Sequence, residues 1–71
     1  MTTHINFELT TEYIELCNLL KLVGIADSGG RGKVMVAEGL VKVDSVTESR
    51  KTAKIRSGQT VAVFGQTIHV L

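Results

Sequence analysis

Residues able to do covalent or acid–base work are few: one Cys, two His and seven carboxylates among 71 residues. A nucleophile needs a neighbouring base, and a general acid–base pair needs two titratable groups in a shared cleft. Cys17 falls on the apolar stripe of an expected first helix, which predicts a buried core thiol rather than a reactive one. His4 stands near the start of the chain. His69 occupies the face of a terminal strand opposite Ile68 and Val70, where a solvated or partly packed imidazole is expected. Neither imidazole has a second ligand at metal spacing, and the carboxylates are scattered over expected helix and turn surfaces. No catalytic set, metal site or cofactor is expected.

The cations are more suggestive. Gly29-Gly30-Arg31-Gly32-Lys33 opens an expected second helix. Free backbone N–H groups and the helix dipole make such a start a site for an anion. Glycines there let a nucleic-acid backbone approach, and Arg31 and Lys33 add charge. The plain alternative is a flexible turn before a solvated helix. The segment lacks the G-x-x-x-x-G-K-[ST] spacing of a P-loop and does not follow a strand as a dinucleotide fingerprint would. A second basic group is Arg50, Lys51 and Lys54, with Lys42 and Arg56 nearby. Lysines and arginines of this kind bind phosphates without reading sequence, with an affinity that falls as salt rises. One charge run is ordinarily a solvated face, but two that converge make a surface for a polyanion.

The three aromatics, Phe7, Tyr13 and Phe64, are dispersed among expected core positions. A platform that stacks single-stranded bases needs exposed, clustered rings. The expected partner is therefore folded or duplex RNA read by shape and backbone. The residues expected to bind it are Gly29, Gly30, Arg31, Lys33, Lys42, Arg50, Lys51 and Lys54.

The elements that must position these residues follow from periodicity. Ile5, Phe7 and Leu9 alternate as in a short edge strand. Thr10 or Thr11 is expected to cap a helix of about three turns, with Glu12 and Glu15 in its first turn and Gly24 at its end. Ile14, Cys17, Leu20 and Val23, flanked by Leu16 and Leu19, form its apolar face. Asp27 or Ser28 is expected to cap a second helix running to about Glu38, with Val34, Met35 and Ala37 apolar and Gly39 closing it. The period then becomes two. Asp44-Ser45 is expected to turn Val41–Val43 back into Val46, with Lys42 opposite Thr47 and Val41 opposite Glu48. Ser57-Gly58-Gln59 reads as a turn. A last hairpin is expected to pair Val61 and Val63 with Val70 and Ile68 around Gly65-Gln66. Two helices followed by a small antiparallel sheet make an α+β domain.

Composition bounds the rest. A 71-residue chain makes one domain, and one this short buries only about 60% of its unfolded surface. At 44% hydrophobic and 21% charged it is not a disordered chain. No apolar run approaches the ~20 residues of a membrane span. The opening Met1-Thr2-Thr3-His4 lacks the features of a signal peptide, and a lone Cys forms no internal disulfide, so a cytoplasmic location is expected. The formal charge of +1 conceals a division. Residues 1–27 carry one Lys against four carboxylates, a balance of −3; residues 28–71 carry seven cations against three carboxylates, a balance of +4. Such segregation suggests a polyanionic partner.

An ordered series of short motifs resembles a known family. It comprises Leu20-x-x-x-Gly24-Ile25-Ala26-Asp27-Ser28-Gly29-Gly30-Arg31-Gly32-Lys33, then Glu38-Gly39-x-Val41-x-Val43-Asp44, then Gly58-Gln59-x-Val61. Glu48-x-Arg50-Lys51 and Lys54-Ile55 extend it. Over about residues 13–70 the chain resembles the RNA-binding domain named after ribosomal protein S-four, and more closely its stand-alone bacterial, YbcJ-like branch. The resemblance implies the αL motif, two helices packed on a β-hairpin with a basic surface that grips structured RNA, and a single RNA-binding domain over residues 1–71. It places Arg31 and Lys33 at the second helix start and Arg50, Lys51 and Lys54 in the loop beyond the first hairpin. Two positions depart from the family pattern: Ser45 where Gly is common in the turn, and Gly32 where a small Ala is common. The second is expected to weaken the helix start.

A non-catalytic module for structured RNA, ribosomal or transfer RNA among them, is the leading expectation. The rival is a protein–protein module in a ribosomal or RNA-processing assembly, suggested by the acidic first third and the short edge strand at Ile5-Asn6-Phe7-Glu8-Leu9. Domains of this type often accompany RNA-modifying enzymes, but no catalytic domain is expected in 71 residues.

Overall fold

The computed structural model describes residues 3–71; Met1 and Thr2, the first half of the opening tetrad, lie outside the described residues. In chain order the elements are β1 (Thr3–Phe7), β2 (Ile14–Glu15), α1 (Leu16–Leu22), α2 (Gly29–Ala37), β3 (Lys42–Val43), β4 (Val46–Thr47), β5 (Lys54–Ile55), β6 (Thr60–Val63) and β7 (Gln66–Val70). Five strands form one sheet in the order β1-β7-β6-β3-β4, and β2 pairs with β5 in a separate two-stranded ladder. The α+β class is as expected, but the sheet is mixed rather than antiparallel. The alternating N-terminal stretch lies parallel to β7, with Ile5 opposite Ile68.

Helix α1 is shorter than its periodicity suggests. Ile14 and Glu15 do not open it: they pair with Ile55 and Lys54 across the small ladder. Neither Thr10 nor Thr11 caps the helix. Glu15 holds the cap position with no side-chain cap bond, and no acidic residue stands in the first turn. The free N–H groups of Leu16 and Cys17 go instead to the carbonyls of Ala53 (2.9 Å) and Lys51 (3.2 Å). A helix start needs acceptors for its first N–H groups, and here a distant loop supplies them.

Helix α2 begins where expected, and of the two expected caps it is Ser28 rather than Asp27 that holds the position. The Ser28 hydroxyl accepts from the Arg31 backbone N–H at 3.0 Å. Its inward face differs, however. Gly32, Met35 and Val36 are buried, whereas Val34 and Ala37 face outward. That spacing is one helical face, and Gly32 belongs to it because the two helices touch there.

Around Asp44-Ser45 the first hairpin has the expected register, Lys42 opposite Thr47 and Val43 opposite Val46. The last hairpin turns one residue earlier, at Phe64-Gly65, so Val61 faces Ile68 and Val63 faces Gln66. A register slip of two residues keeps every side chain on its own face. Val61, Val63, Ile68 and Val70 therefore all remain buried together. They pack against Leu16, Leu19 and Leu20 of α1, Met35 and Val36 of α2, and Val41, Ala53 and Ile55. Cys17 is buried, as its place on the apolar stripe implies. Of the aromatics, Tyr13 and Phe64 are exposed, 38% and 60%, and only Phe7 packs against the core. Phe64 is displaced because it occupies the turn itself, at φ +50°.

Candidate nucleic-acid interface

The two basic segments meet at the first turn of α1. On one side, residues 50–53 form a turn closed by the Ala53 N–H on the Arg50 carbonyl, and its Lys51 carbonyl receives the Cys17 N–H. On the other, α2 crosses so closely that a Cβ at position 32 would stand 2.7 Å from the Cys17 carbonyl oxygen. Gly29 lies beside Asn18, one residue further along α1. The backbone of Cys17 thus touches both the loop that carries Arg50 and Lys51 and the helix start that carries Arg31 and Lys33; Lys54, expected in that loop, instead opens β5, paired with Glu15.

At that helix start Ser28 takes the N–H groups of Arg31, through its hydroxyl, and Gly32, through its carbonyl. Those of Gly29 and Gly30 precede the first intrahelical bonds and are left for another acceptor. Gly32 does not share that role. It is buried, and its missing side chain makes room for α1 rather than for a ligand.

The cations fall into two kinds. Among the described residues, Arg31, Lys33, Lys42, Lys51 and Lys54 form no ion pair; Arg50 pairs with Glu48 at 2.9 Å and Arg56 with Glu12 at 3.2 Å. Lys54 Nζ lies 4.9 Å from the centre of the Tyr13 ring and the Arg56 guanidinium 5.8 Å, cation–π contacts that gather both around one exposed aromatic. Arg50, Thr52, Ala53 and Lys54 line a shallow open hollow. Lys42 stands apart from the junction in secondary structure: it is exposed on β3, with Thr47 and Ala62 as its neighbours in register.

Two contributors were not legible from spacing. Glu48, expected opposite Val41 and within the Glu48-x-Arg50-Lys51 motif but given no role there, accepts from the Arg50 backbone N–H, Nε and Nη2 at 3.0, 3.1 and 2.9 Å. These hydrogen bonds, the side-chain ones foremost, hold its carboxyl down to about 2 from the usual 4.5. The Glu-x-Arg spacing after a strand is its signal. Tyr13 was expected inside, although its neighbour Ile14 already supplies the apolar residue that pairs with Ile55. The two imidazoles, far apart in sequence, also meet: His4 Nδ1 and His69 Nε2 are 2.9 Å apart, one ring donating and the other accepting, which ties β1 to β7.

Two helices laid against a mixed sheet, with cations around the helix junction and no cluster of three or more metal-ligating side chains among the described residues, define a small α+β module that presents a charged surface. The chain belongs to the S4 domain family, whose model matches residues 7–71. It is 49% identical over 59 residues to YbcJ of Escherichia coli (strain K12), a match spanning 83% of this chain and 84% of that protein. A YbcJ from Shigella flexneri matches to the same extent. The solution structure of YbcJ from E. coli, described as revealing an αL motif involved in RNA-binding, superposes with a TM-score of 0.74 at 44% identity. That superposition covers 100% of this chain and 91% of the YbcJ chain. Among the described residues, no helix is long and apolar enough to cross a membrane.

Proposed function

We propose that this protein is a non-catalytic, cytoplasmic RNA-binding module, the whole chain of residues 1–71 acting as one domain around an αL core at about 13–70. Its partner is structured RNA, of the ribosomal or transfer class, gripped through phosphates by Arg31, Lys33, Arg50, Lys51 and Lys54. Gly29 and Gly30 contribute main-chain N–H groups, and Lys42 adds charge from the sheet. The observation that carries this reading is the junction at Cys17, where the loop of residues 50–53 and the start of α2 abut the same turn of α1. Family membership and the likeness to YbcJ support it. Cations without carboxylate partners on an exposed surface favour a polyanion over an apolar partner.

Titration of a labelled RNA stem-loop at several salt concentrations tests it. The wild-type affinity falls steeply with salt. Removing Arg31 and Lys33, or Lys51 alone, lowers the slope of log K against log salt by roughly 0.7–0.9 for each phosphate left without its cation. Equal, salt-independent binding by all variants overturns the reading.

A further inference from the structure

A carboxylate among cations that face a polyanion ordinarily costs affinity, because it repels phosphate. Glu48 sits among Lys42, Arg50, Lys51 and Lys54 in the chain, and its placement suggests the opposite effect. We propose that Glu48 is a positioning residue for RNA binding, holding the Arg50 guanidinium so that its outer N–H groups meet a phosphate. This rests on the RNA-binding reading above.

The geometry forms a relay from core to surface. The Glu48 backbone N–H donates to the carbonyl of Val41, a fully buried core residue, at 3.0 Å. The Glu48 carboxylate in turn accepts Nε and Nη2 of Arg50 as a fork, and the Arg50 main-chain N–H as a third bond. Three bonds to one carboxylate fix both the backbone and the guanidinium plane of Arg50. The anchor is largely covered and the cation is not: their side chains are 17% and 79% exposed. A guanidinium has five N–H donors, of which the fork uses two, so the others remain on the edge turned away from Glu48. Beside that side chain is the hollow lined by Arg50, Thr52, Ala53 and Lys54. The Glu48 carboxyl stays ionised well below neutral pH, so it is charged to accept the fork in a titration at neutral pH.

An arginine already held in place does not lose its rotamer freedom on binding. That saving corresponds to about twofold to tenfold in affinity. Charge alone predicts the reverse sign, since Glu48→Gln removes a negative charge.

The experiment titrates a fluorescently labelled RNA stem-loop with wild type, Glu48→Gln, Arg50→Lys and the double variant at neutral pH, with thermal melts of each. Expected are a loss of about twofold to tenfold for Glu48→Gln and a loss for Arg50→Lys, which keeps the charge but not the fork. In the Arg50→Lys background, Glu48→Gln no longer weakens binding. Tighter or unchanged binding by Glu48→Gln alone overturns the proposal, as does an equal loss in both backgrounds. A second readout needs no RNA: the Arg50 Nε–H NMR signal of the free protein is protected from exchange in wild type and loses that protection in Glu48→Gln. No protection in wild type overturns the proposal independently. A wild type without salt-dependent RNA binding instead removes the RNA reading on which it stands.

Discussion

Gly32 of α2 lies so near Cys17 of α1 that any side chain at position 32 would press on the Cys17 carbonyl oxygen, at 2.7 Å for a Cβ. The glycine expected to weaken a helix start is therefore the point at which the two helices lock. The same Cys17 backbone receives the loop of residues 50–53 on its N–H side. One peptide segment thus sets the distance between the basic groups.

Substitution of Gly32 by Ala separates helix propensity from packing. In an open helix, Ala in place of Gly stabilises by up to about 1 kcal/mol. Here the added methyl meets backbone rather than a flexible side-chain end, so the variant is expected to lose about 1–3 kcal/mol, as overpacked cores do. Urea unfolding of both proteins decides between the signs.

Ser45→Gly is expected to stabilise. Asp44 and Ser45 hold φ of +50° and +70° in the two-residue turn between β3 and β4. Such a turn requires left-handed backbone at both positions, a conformation that strains a side-chain-bearing residue by roughly 1–2 kcal/mol. Relief of that strain outweighs the added freedom of glycine in the unfolded chain, for a net gain of about 0.5–1 kcal/mol. A raised melting temperature with unchanged RNA affinity is the expected result.

Ser28→Ala removes the side-chain acceptor that caps α2, the hydroxyl bonded to the Arg31 N–H. The expected cost is about 1 kcal/mol. Because the same turn carries Arg31 and Lys33, hydrogen exchange at residues 29–33 should quicken before global unfolding.

Glu48 makes stability depend on acid in a definite direction. Its carboxyl is lowered from 4.5 to about 2 in the folded protein by hydrogen bonds from Arg50. A group whose folded value is depressed stabilises above its unfolded value and loses that contribution as pH falls through the folded one. The Glu48–Arg50 contribution is therefore complete above about pH 5 and disappears toward pH 2. Because Arg50 is open to water, solvent screening keeps that contribution small. Melting curves of wild type and Glu48→Gln should differ at pH 7 and converge near pH 2.

Local patterning alone determined the α+β class, the second helix with a cap at Asp27 or Ser28, the Asp44-Ser45 hairpin and the identity of the basic segments. Each depends on residues close in sequence: a hydroxyl three positions before an N–H, a period of two, a cluster of charge. The start of α1 was not legible, because its acceptors are carbonyls of Lys51 and Ala53, more than thirty residues away. Nor was the parallel docking of β1 on β7, which joins the two ends of the chain and brings His4 to His69. The last hairpin slipped by two residues with no change of face, since alternation specifies which side is buried but not which partner is opposite. At the candidate interface, composition identified the cations, whereas only the tertiary structure divided them: among the described residues Arg50 and Arg56 pair with carboxylates, and Arg31, Lys33, Lys42, Lys51 and Lys54 do not. That division turns on distances of a few ångströms between segments far apart in the chain, where Coulomb and hydrogen-bond energies are decided.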